Sequence, residues 1–201
     1  MRTTTRAVAW VKEAPFGVEF AEIALAADHL SARGVAISAD PVPYRLDYTL
    51  QTRSEFVTSR LEAVARGQDW CRMLDLRRDV EGTWTVTADA EGSLALSPPG
   101  GDPNMFAGAL DCDLGLSPVT NLMPVHRHAL ISGGGPVELV TAWVSVPDLS
   151  VHADGQRYAF VRAEQDRRVI RYEATDASFA ADIVVDQDGI AIDYPGIARR
   201  L

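Results

Sequence analysis

Hydrophobic residues alternate with polar ones along much of the chain. In the clearest case they fill every second position from Val42 to Leu50, with polar residues such as Asp47 and Thr49 between them. Side chains of a β-strand point alternately to opposite faces, so this pattern predicts a strand with one face on a core. Similar patterns, or runs of strong β-formers, predict further strands at residues 70–77, 83–87, 157–162, 169–174 and 183–193. Residues 137–146 are apolar at nearly every position, which predicts a strand covered on both faces.

Turn-forming residues separate these segments. We expect turns at Glu81-Gly82, Glu91-Gly92, Asp154-Gly155 and Asp188-Gly189, the last of which lies between two apolar runs and predicts a hairpin. Two loops rich in proline or glycine, residues 97–103 and 132–136, interrupt the pattern, but similar composition resumes on both sides. We therefore predict one mainly β domain of the α+β class over residues 1–201, built as a sheet, barrel or roll.

Two segments are candidates for helices. Residues 21–33 are rich in alanine and fit either a helix or two strands that meet at Asp28-His29. Residues 120–131 are a better candidate, because Thr120 can serve as N-cap and Pro124 then falls in the first turn, where its missing N–H costs little. Leu122, Val125 and Ala129 would share one face of this helix.

Composition narrows the class of protein. The 201 residues are 47% hydrophobic and 23% charged, which is ordinary for a globular protein with a sizeable core. A net charge of -9 argues against nucleic acid and against docking on anionic membranes, both of which need clustered cations. No apolar run is long enough for a transmembrane helix, and we expect a cytoplasmic protein with Cys71 and Cys112 reduced.

Asp111-x-Asp113 and His126-x-His128 could hold a metal ion, because residues two apart on a strand point to the same side. On a helix, however, the two histidines would diverge by about 200° and could not share one ion. We favour polar rim residues and a core histidine over a metal site, and we expect no cofactor. The Asp-x-Asp pattern also occurs in sugar-nucleotide-dependent transferases, but this chain has 28 acidic residues and no supporting phosphate-binding or nucleophile motif.

Arg127 lies near the end of the predicted helix. It is either buried against a carboxylate, such as Asp111 or Asp113, or exposed at the helix C-terminus, where the macrodipole favours a cation. Both interpretations fit the sequence. The tyrosines and tryptophans suit a pocket for an amphipathic ligand, but we expect most of them to be ordinary sheet core.

The segment from Leu110 to His128 reads LDCDLGLSPVTNLMPVHRH. It resembles the glycolipid-binding family, formerly a domain of unknown function, which shows Asp-x-Asp-Leu followed by Thr-Pro-x-Thr-Asn-Thr-Leu-Pro-Ile-Arg-Arg-Leu. Pro118, Thr120, Asn121, Pro124 and Arg127 match that pattern, while Ser117, His126 and His128 replace its first Thr, first Arg and last Leu. Other matches follow in the same order along the chain: Trp10, Glu19, Gly82-x-Trp84, Val144-x-Val146-Pro147, Gln156-x-Tyr158, Val185-Asp186-x-Asp188-Gly189 and Asp193-Tyr194-Pro195-Gly196.

The resemblance implies a spiral β-roll, in which one long antiparallel sheet of many strands wraps around a single central helix at about residues 120–131. It also implies a homodimer. In that fold residues 21–33 form strands, so we prefer two strands to a helix there.

The resemblance further implies that an interior cavity of the roll binds a glycolipid or a related amphipathic molecule without catalysis. The side chains expected to contact this ligand are Arg127, Asn121, Thr120, Asp111, Asp113, Gln156, Tyr158 and Tyr194. One alternative is a small hydrolase or transferase for sugar–lipid conjugates that uses Asp111 or Asp113 as acid or base. Another is a structural Asp–Arg network that binds no ligand.

Overall fold

The computed structural model describes residues 3–93 and 95–201. Its strands are Thr4–Lys12 (β1), Gly17–Leu25 (β2), Leu30–Ser38 (β3), Tyr44–Thr52 (β4), Thr58–Gly67 (β5), Trp70–Arg78 (β6), Trp84–Gly92 (β7), Asp111–Leu114 (β8), Val137–Val144 (β9), Val151–Glu164 (β10), Arg167–Ala174 (β11), Ala180–Val185 (β12), Ala191–Tyr194 (β13) and Ala198–Arg200 (β14). Within these residues there is one α-helix, Leu122–Arg127 (α1), and there are short 3-10 turns at Ser54–Phe56, Pro103–Phe106 and Leu130–Ser132.

All fourteen strands form one sheet, in the order β7-β6-β5-β4-β3-β2-β1-β14-β13-β12-β11-β10-β9-β8. Consecutive strands pair antiparallel from β1 to β7 and from β9 to β14, and β1 joins the two halves by pairing with β14. The pairing of β8 with β9 is parallel, which corrects the expectation of a wholly antiparallel sheet. Strands β7 and β8 are the two edges and no ladder joins them, so the described part of the sheet is not closed into a barrel.

The sheet curls around a shared core. Leu74 on β6 and Ala142 on β9 lie near opposite edges of the sheet, yet both belong to one cluster of buried hydrophobic residues. Leu122 and Met123 of α1 complete this cluster, and Val125 packs into a second cluster formed by β10 to β13. At the meeting point of the two ends, the backbone N–H of Thr58 donates to the carbonyl of Leu110 at 3.1 Å.

Alternation of side chains explains most of the strands. On β4 the residues Tyr44, Leu46, Tyr48 and Leu50 are buried, as predicted. The predicted strands within residues 21–33 are also confirmed, because β2 and β3 pair from Gly17 opposite Ser38 to Leu25 opposite Leu30. The prediction that residues 137–146 are covered on both faces is wrong for the first half of β9, where Val140 is 47% exposed.

Two of the four predicted turns are confirmed and two are wrong. Gly82 and Gly189 occupy turns with φ of +94° and +78°. Asp154 and Gly155 instead lie inside β10, opposite Thr141 and Val140. A glycine is needed there because a Cβ atom would come within 2.2 Å of the Thr175 hydroxyl oxygen. Glu91 and Gly92 likewise end β7, where they pair with β6.

An α-helix does lie within the predicted segment 120–131, but its predicted length is wrong. It covers Leu122–Arg127, and Ala129 then adopts the left-handed conformation with φ of +50°, which ends the helical path before the 3-10 turn at Leu130–Ser132. Thr120 makes no N-cap, because its hydroxyl donates to Asp113 instead. No helix in the described residues is long and apolar enough to span a bilayer. Both cysteines are free thiols.

Replacement of Gly34 by alanine tests the close packing of β3 on β4. A Cβ atom at Gly34 would lie 2.4 Å from the ring of buried Tyr48, whose hydroxyl is tied to Glu19 at 2.7 Å. We expect Gly34→Ala to lower the free energy of unfolding by about 1–3 kcal/mol, measured by urea titration of tryptophan fluorescence. Gly108→Ala is the control, because no atom lies within 4 Å of its Cβ position, and it should change stability by less than about 0.5 kcal/mol. Equal effects of the two substitutions would contradict this packing.

Candidate functional site

The segment from β8 through α1 brings most of the predicted site residues together. Asp111 and Asp113 lie two positions apart on β8, so their side chains project from the same face of the strand. Strand β10 supplies Gln156 and Tyr158, which also lie two apart and are both buried. Gln156 on β10 contacts Asp113 on β8. The sequence could not show this contact, because β9 lies between the two strands in the sheet.

Asp111 and Arg127 form a buried ion pair. The Arg127 Nη1 atom lies 2.7 Å from Asp111 Oδ2, and Nη2 binds the other carboxylate oxygen. Arg127 also donates from Nε to the carbonyl of Glu55 and from Nη2 to the carbonyl of Phe56, both at 2.8 Å. The two side chains are 9% and 2% exposed, which confirms the buried interpretation of Arg127. Burial raises the pKa of Asp111, and the Arg127 guanidinium acts in the opposite direction.

Asp113 belongs to a separate network of neutral donors. Its Oδ1 accepts a hydrogen bond from the Thr120 hydroxyl at 2.7 Å, and its Oδ2 accepts one from Gln156 Nε2 at 2.7 Å. The same Gln156 amide donates to Asp154 Oδ2 at 3.0 Å, so it bridges two carboxylates. Burial is the main cause that raises the pKa of Asp113, and the charges of Asp154 and Asp111 add to the rise.

Tyr158 and Asn121 extend this network. The Tyr158 hydroxyl donates to Asn121 Oδ1 at 2.7 Å and lies 3.2 Å from Gln156 Oε1. This hydroxyl is buried, which raises the pKa of Tyr158 well above its ordinary value. Since each member holds the next, the network fixes Asn121 and Asp113 relative to β10.

Asp113 and Asn121 open onto a pocket of about 330 Å³. Asp154 from β10 and the aromatic residues Trp143, Tyr172, Phe179 and Tyr194 also line it. Tyr172 packs edge-on against Tyr194, with ring centroids 6.1 Å apart, and Phe179 lies 5.9 Å from Tyr172. Carboxylates, an amide and aromatic rings thus face one space, as in pockets that bind small polar ring compounds.

Two hydroxyl groups at this pocket have no partner within the described residues. Tyr172 and Tyr194 are 8% and 5% exposed, and neither hydroxyl makes a hydrogen bond to the protein. Burial raises the pKa of both groups, and the nearby charge of Asp113 adds to the rise. Both hydroxyls therefore keep their capacity to donate and accept hydrogen bonds for water or a ligand in the pocket.

The eight predicted residues therefore divide into three groups. The first group, Asp113, Asn121 and Tyr194, lines the pocket. The second group, Thr120, Gln156 and Tyr158, donates hydrogen bonds to Asp113 or Asn121. Asp111 and Arg127 line a different and smaller pocket of about 220 Å³, together with His128.

The histidines do not form a metal site with the carboxylates. His126 Nε2 lies 2.9 Å from the carbonyl of Asp188, and its ring stacks on Phe56 at a centroid distance of 4.9 Å. Burial lowers the pKa of His126, which keeps the ring neutral. No group of three or more potential metal ligands occurs within the described ranges.

The sequence interpretation overlooked a second buried charge cluster. Lys12 Nζ lies 2.9 Å from Glu19 Oε2, and the Tyr48 and Ser117 hydroxyls donate to Glu19 Oε1 at 2.7 and 2.6 Å. The sequence did contain a signal for this cluster. Lys12 and Glu19 fall at the alternating positions of β1 and β2 that face the core, and the other buried residues at those positions are apolar or glycine. A charge in the buried phase of a period-two pattern predicts an internal network.

The aromatic wall of the pocket was only partly visible in the sequence. Trp143 and Tyr172 stood among aromatic residues that fit ordinary core, and Phe179 carried no signal at all. These side chains come from β9, β11 and the turn before β12, so only the curvature of the sheet brings them to Asp113.

Comparisons with known proteins give one family. The model of the family described as "Putative glycolipid-binding" matches residues 7–200. The chain is similar to a DUF1089 family protein from Pseudomonas aeruginosa, known from its crystal structure, with 28% sequence identity and a TM-score of 0.69. The similarity covers 91% of this chain and 92% of that protein. No curated protein matches the sequence.

A double-mutant cycle tests the Asp111–Arg127 pair. Removal of one partner leaves a buried charge, so Asp111→Ala and Arg127→Ala should each lower the free energy of unfolding by about 3–5 kcal/mol. The double variant should lose much less than the sum, because it leaves no uncompensated charge. The control cycle is Arg60→Ala with Asp75→Ala, a pair of similar geometry whose side chains are 31% and 25% exposed. Its coupling should be about 0–1 kcal/mol in chemical denaturation. Equal coupling in both cycles would show that burial does not set the strength of the Asp111–Arg127 pair.

Proposed function

The chain belongs to the glycolipid-binding family, and on that premise we propose that it binds a glycolipid or a related amphipathic molecule whose polar headgroup occupies the pocket at Asp113. The observation that carries this proposal is the pocket itself, where aromatic rings and unpartnered hydroxyls meet a carboxylate and an amide. Its volume of about 330 Å³ lies at the lower end of small-molecule pockets, which fits a headgroup and not a whole lipid.

The apolar part of the ligand would leave along the rim of the pocket. Leu116 and Ile197 are partly exposed and line it beside the aromatic residues, so an acyl chain would find hydrocarbon contact there. In this proposal Arg127 supports the site from a distance, because four of its N–H groups already serve Asp111 and the backbone of residues 55 and 56.

We propose binding without catalysis, and the two alternatives differ in the role that they assign to the two carboxylates. The hydrolase or transferase alternative needs an acid or base that is free to exchange a proton with the substrate. Asp111 is held by the Arg127 guanidinium, which leaves Asp113, with its raised pKa, as the candidate for that role. The purely structural alternative fits Asp111 and Arg127, but it gives no role to the unpartnered hydroxyls of Tyr172 and Tyr194.

Native mass spectrometry with a variant that fills the pocket tests the proposal. Ser178 is exposed and lines the pocket, so Ser178→Trp should block it without disturbing the core. We expect wild-type protein from its own host to carry a lipid adduct, and Ser178→Trp to carry at least tenfold less. The control is Thr85→Trp, which places the same ring on the exposed face of β7 and should retain the adduct.

Three results would count against the proposal. Wild-type protein that neither carries nor takes up lipid would exclude binding. Equal adducts on both tryptophan variants would exclude this pocket. Loss of the sugar mass from the bound lipid during incubation, abolished by Asp113→Asn, would favour the enzyme alternative.

We also propose that the chain acts in the cytoplasm as a homodimer that pairs through the outer face of β2 and β3. Val18, Phe20 and Ile37 are 44%, 47% and 51% exposed there, and Val18 lies directly opposite Ile37 across the two strands. Phe16 in the preceding turn is 72% exposed and extends the same apolar area. Such a patch fits an isologous contact with a second copy of the chain.

Sedimentation equilibrium tests this contact. Phe20→Glu should convert a dimer to a monomer, because it places two charges in an apolar interface. Val80→Glu, at a residue 80% exposed in the turn after β6, should leave the dimer intact. A monomeric wild-type protein, or a dimer that survives Phe20→Glu, would exclude pairing through this face.

A further inference from the structure

The charge of the pocket is one-sided. Asp113 and Asp154 both line it, and among the described residues no lysine, arginine or histidine does. The two carboxylates are close enough for one Gln156 amide to bind both, at 2.7 and 3.0 Å. All the hydrogen bonds that Asp113 receives come from neutral donors, so its charge has no cationic partner in the described chain. An anionic headgroup would meet repulsion here, and a cation would relieve it.

The aromatic walls favour a cation as well. Trp143, Tyr172, Phe179 and Tyr194 line the same space, and the last three lie within about 6 Å of one another. The face of an aromatic ring carries partial negative charge and attracts ammonium groups, most strongly in a desolvated site. Carboxylates and aromatic rings, with no cationic side chain among the described lining residues, are a combination that suits a protonated amine.

The unpartnered tyrosine hydroxyls point to a ligand with further polar groups. Tyr172 and Tyr194 are more than nine-tenths buried and line the pocket, yet neither hydroxyl bonds to a residue in the described part of the chain. A hydroxylated ring would supply donors and acceptors to both, while its C–H face packs on the aromatic side chains.

We propose that the pocket recognises a protonated amino group on the headgroup, held between Asp113 and Asp154 and against the rings of Tyr172 and Tyr194. This inference rests on the proposed function, whose ligand class it narrows to amine-bearing amphipaths. The amine could belong to an amino sugar or to a simple aminoalkyl group, and the two tyrosine hydroxyls favour the amino sugar.

Titration with soluble headgroup analogues tests the inference. The indole N–H signal of Trp143, followed by two-dimensional NMR, reports on the pocket directly. The probes are glucosamine, its neutral counterpart N-acetylglucosamine, ethanolamine as an amine without a ring, and glucuronic acid as an anion. We expect glucosamine to bind at least tenfold more tightly than N-acetylglucosamine, and glucuronic acid not to bind.

Substitutions of the carboxylates test whether the pocket recognises the charge of the amine or only the shape of the sugar ring. Asp154→Asn keeps an oxygen that can accept from Gln156 but removes one charge, so it should weaken glucosamine at least fivefold and leave N-acetylglucosamine unchanged. Asp89→Asn makes the same change on exposed β7 and should alter neither affinity. Asp113→Asn is a second variant for the other carboxylate, with folding checked by its NMR spectrum.

Each outcome distinguishes the inference from the function on which it rests. Tighter binding of glucosamine than of ethanolamine supports an amino sugar, and equal binding of the two supports an aminoalkyl headgroup. Equal binding of glucosamine and N-acetylglucosamine overturns recognition of the amine but leaves the proposed function standing. Absence of any shift at Trp143 with all four probes overturns both.

Discussion

The position of the helix, and with it the site, depends on the buried guanidinium of Arg127. It is the last residue of α1 and binds both the carboxylate of Asp111 on β8 and the backbone of the turn at Ser54–Phe56. The turn connects β4 and β5 in one half of the curled sheet, and β8 is the edge of the other half, so one side chain holds a sheet edge, the helix and the turn together. A buried charge is tolerated only with such complete pairing, which makes the arrangement specific as well as costly to break.

A second buried charge fixes the other side of the site. Glu19 on β2 holds Lys12 of β1, Tyr48 of β4 and Ser117 in the loop between β8 and α1. The loop and helix that follow β8 and carry Thr120 and Asn121 are therefore anchored at both ends to the sheet. Such anchoring preorganises a binding pocket, because the loop and helix have little conformational freedom left to lose when a ligand binds.

The sequence predicted the strands well, because a sheet with one face on a core imposes a period of two on side chains such as those of β4. It failed where long-range geometry decides the outcome. Ala129 ends the helix through a left-handed conformation that alanine does not signal, and Gly155 lies within a strand, where Thr175 leaves no room for a Cβ atom. The family motif led to Asp113 and Asn121, but Trp143, Tyr172 and Phe179 reach them only through the curl of the sheet.

The central claim is that the pocket between Asp113 and Tyr194 receives the headgroup of an amphipathic ligand. A crystal structure of the protein with its co-purified lipid tests it most directly. The account predicts headgroup density in the 330 Å³ pocket, with hydrogen bonds to the Tyr172 and Tyr194 hydroxyls and contact with Asp113. Lipid bound instead in the smaller pocket beside Arg127, or on the outer face of β2 and β3, would contradict it.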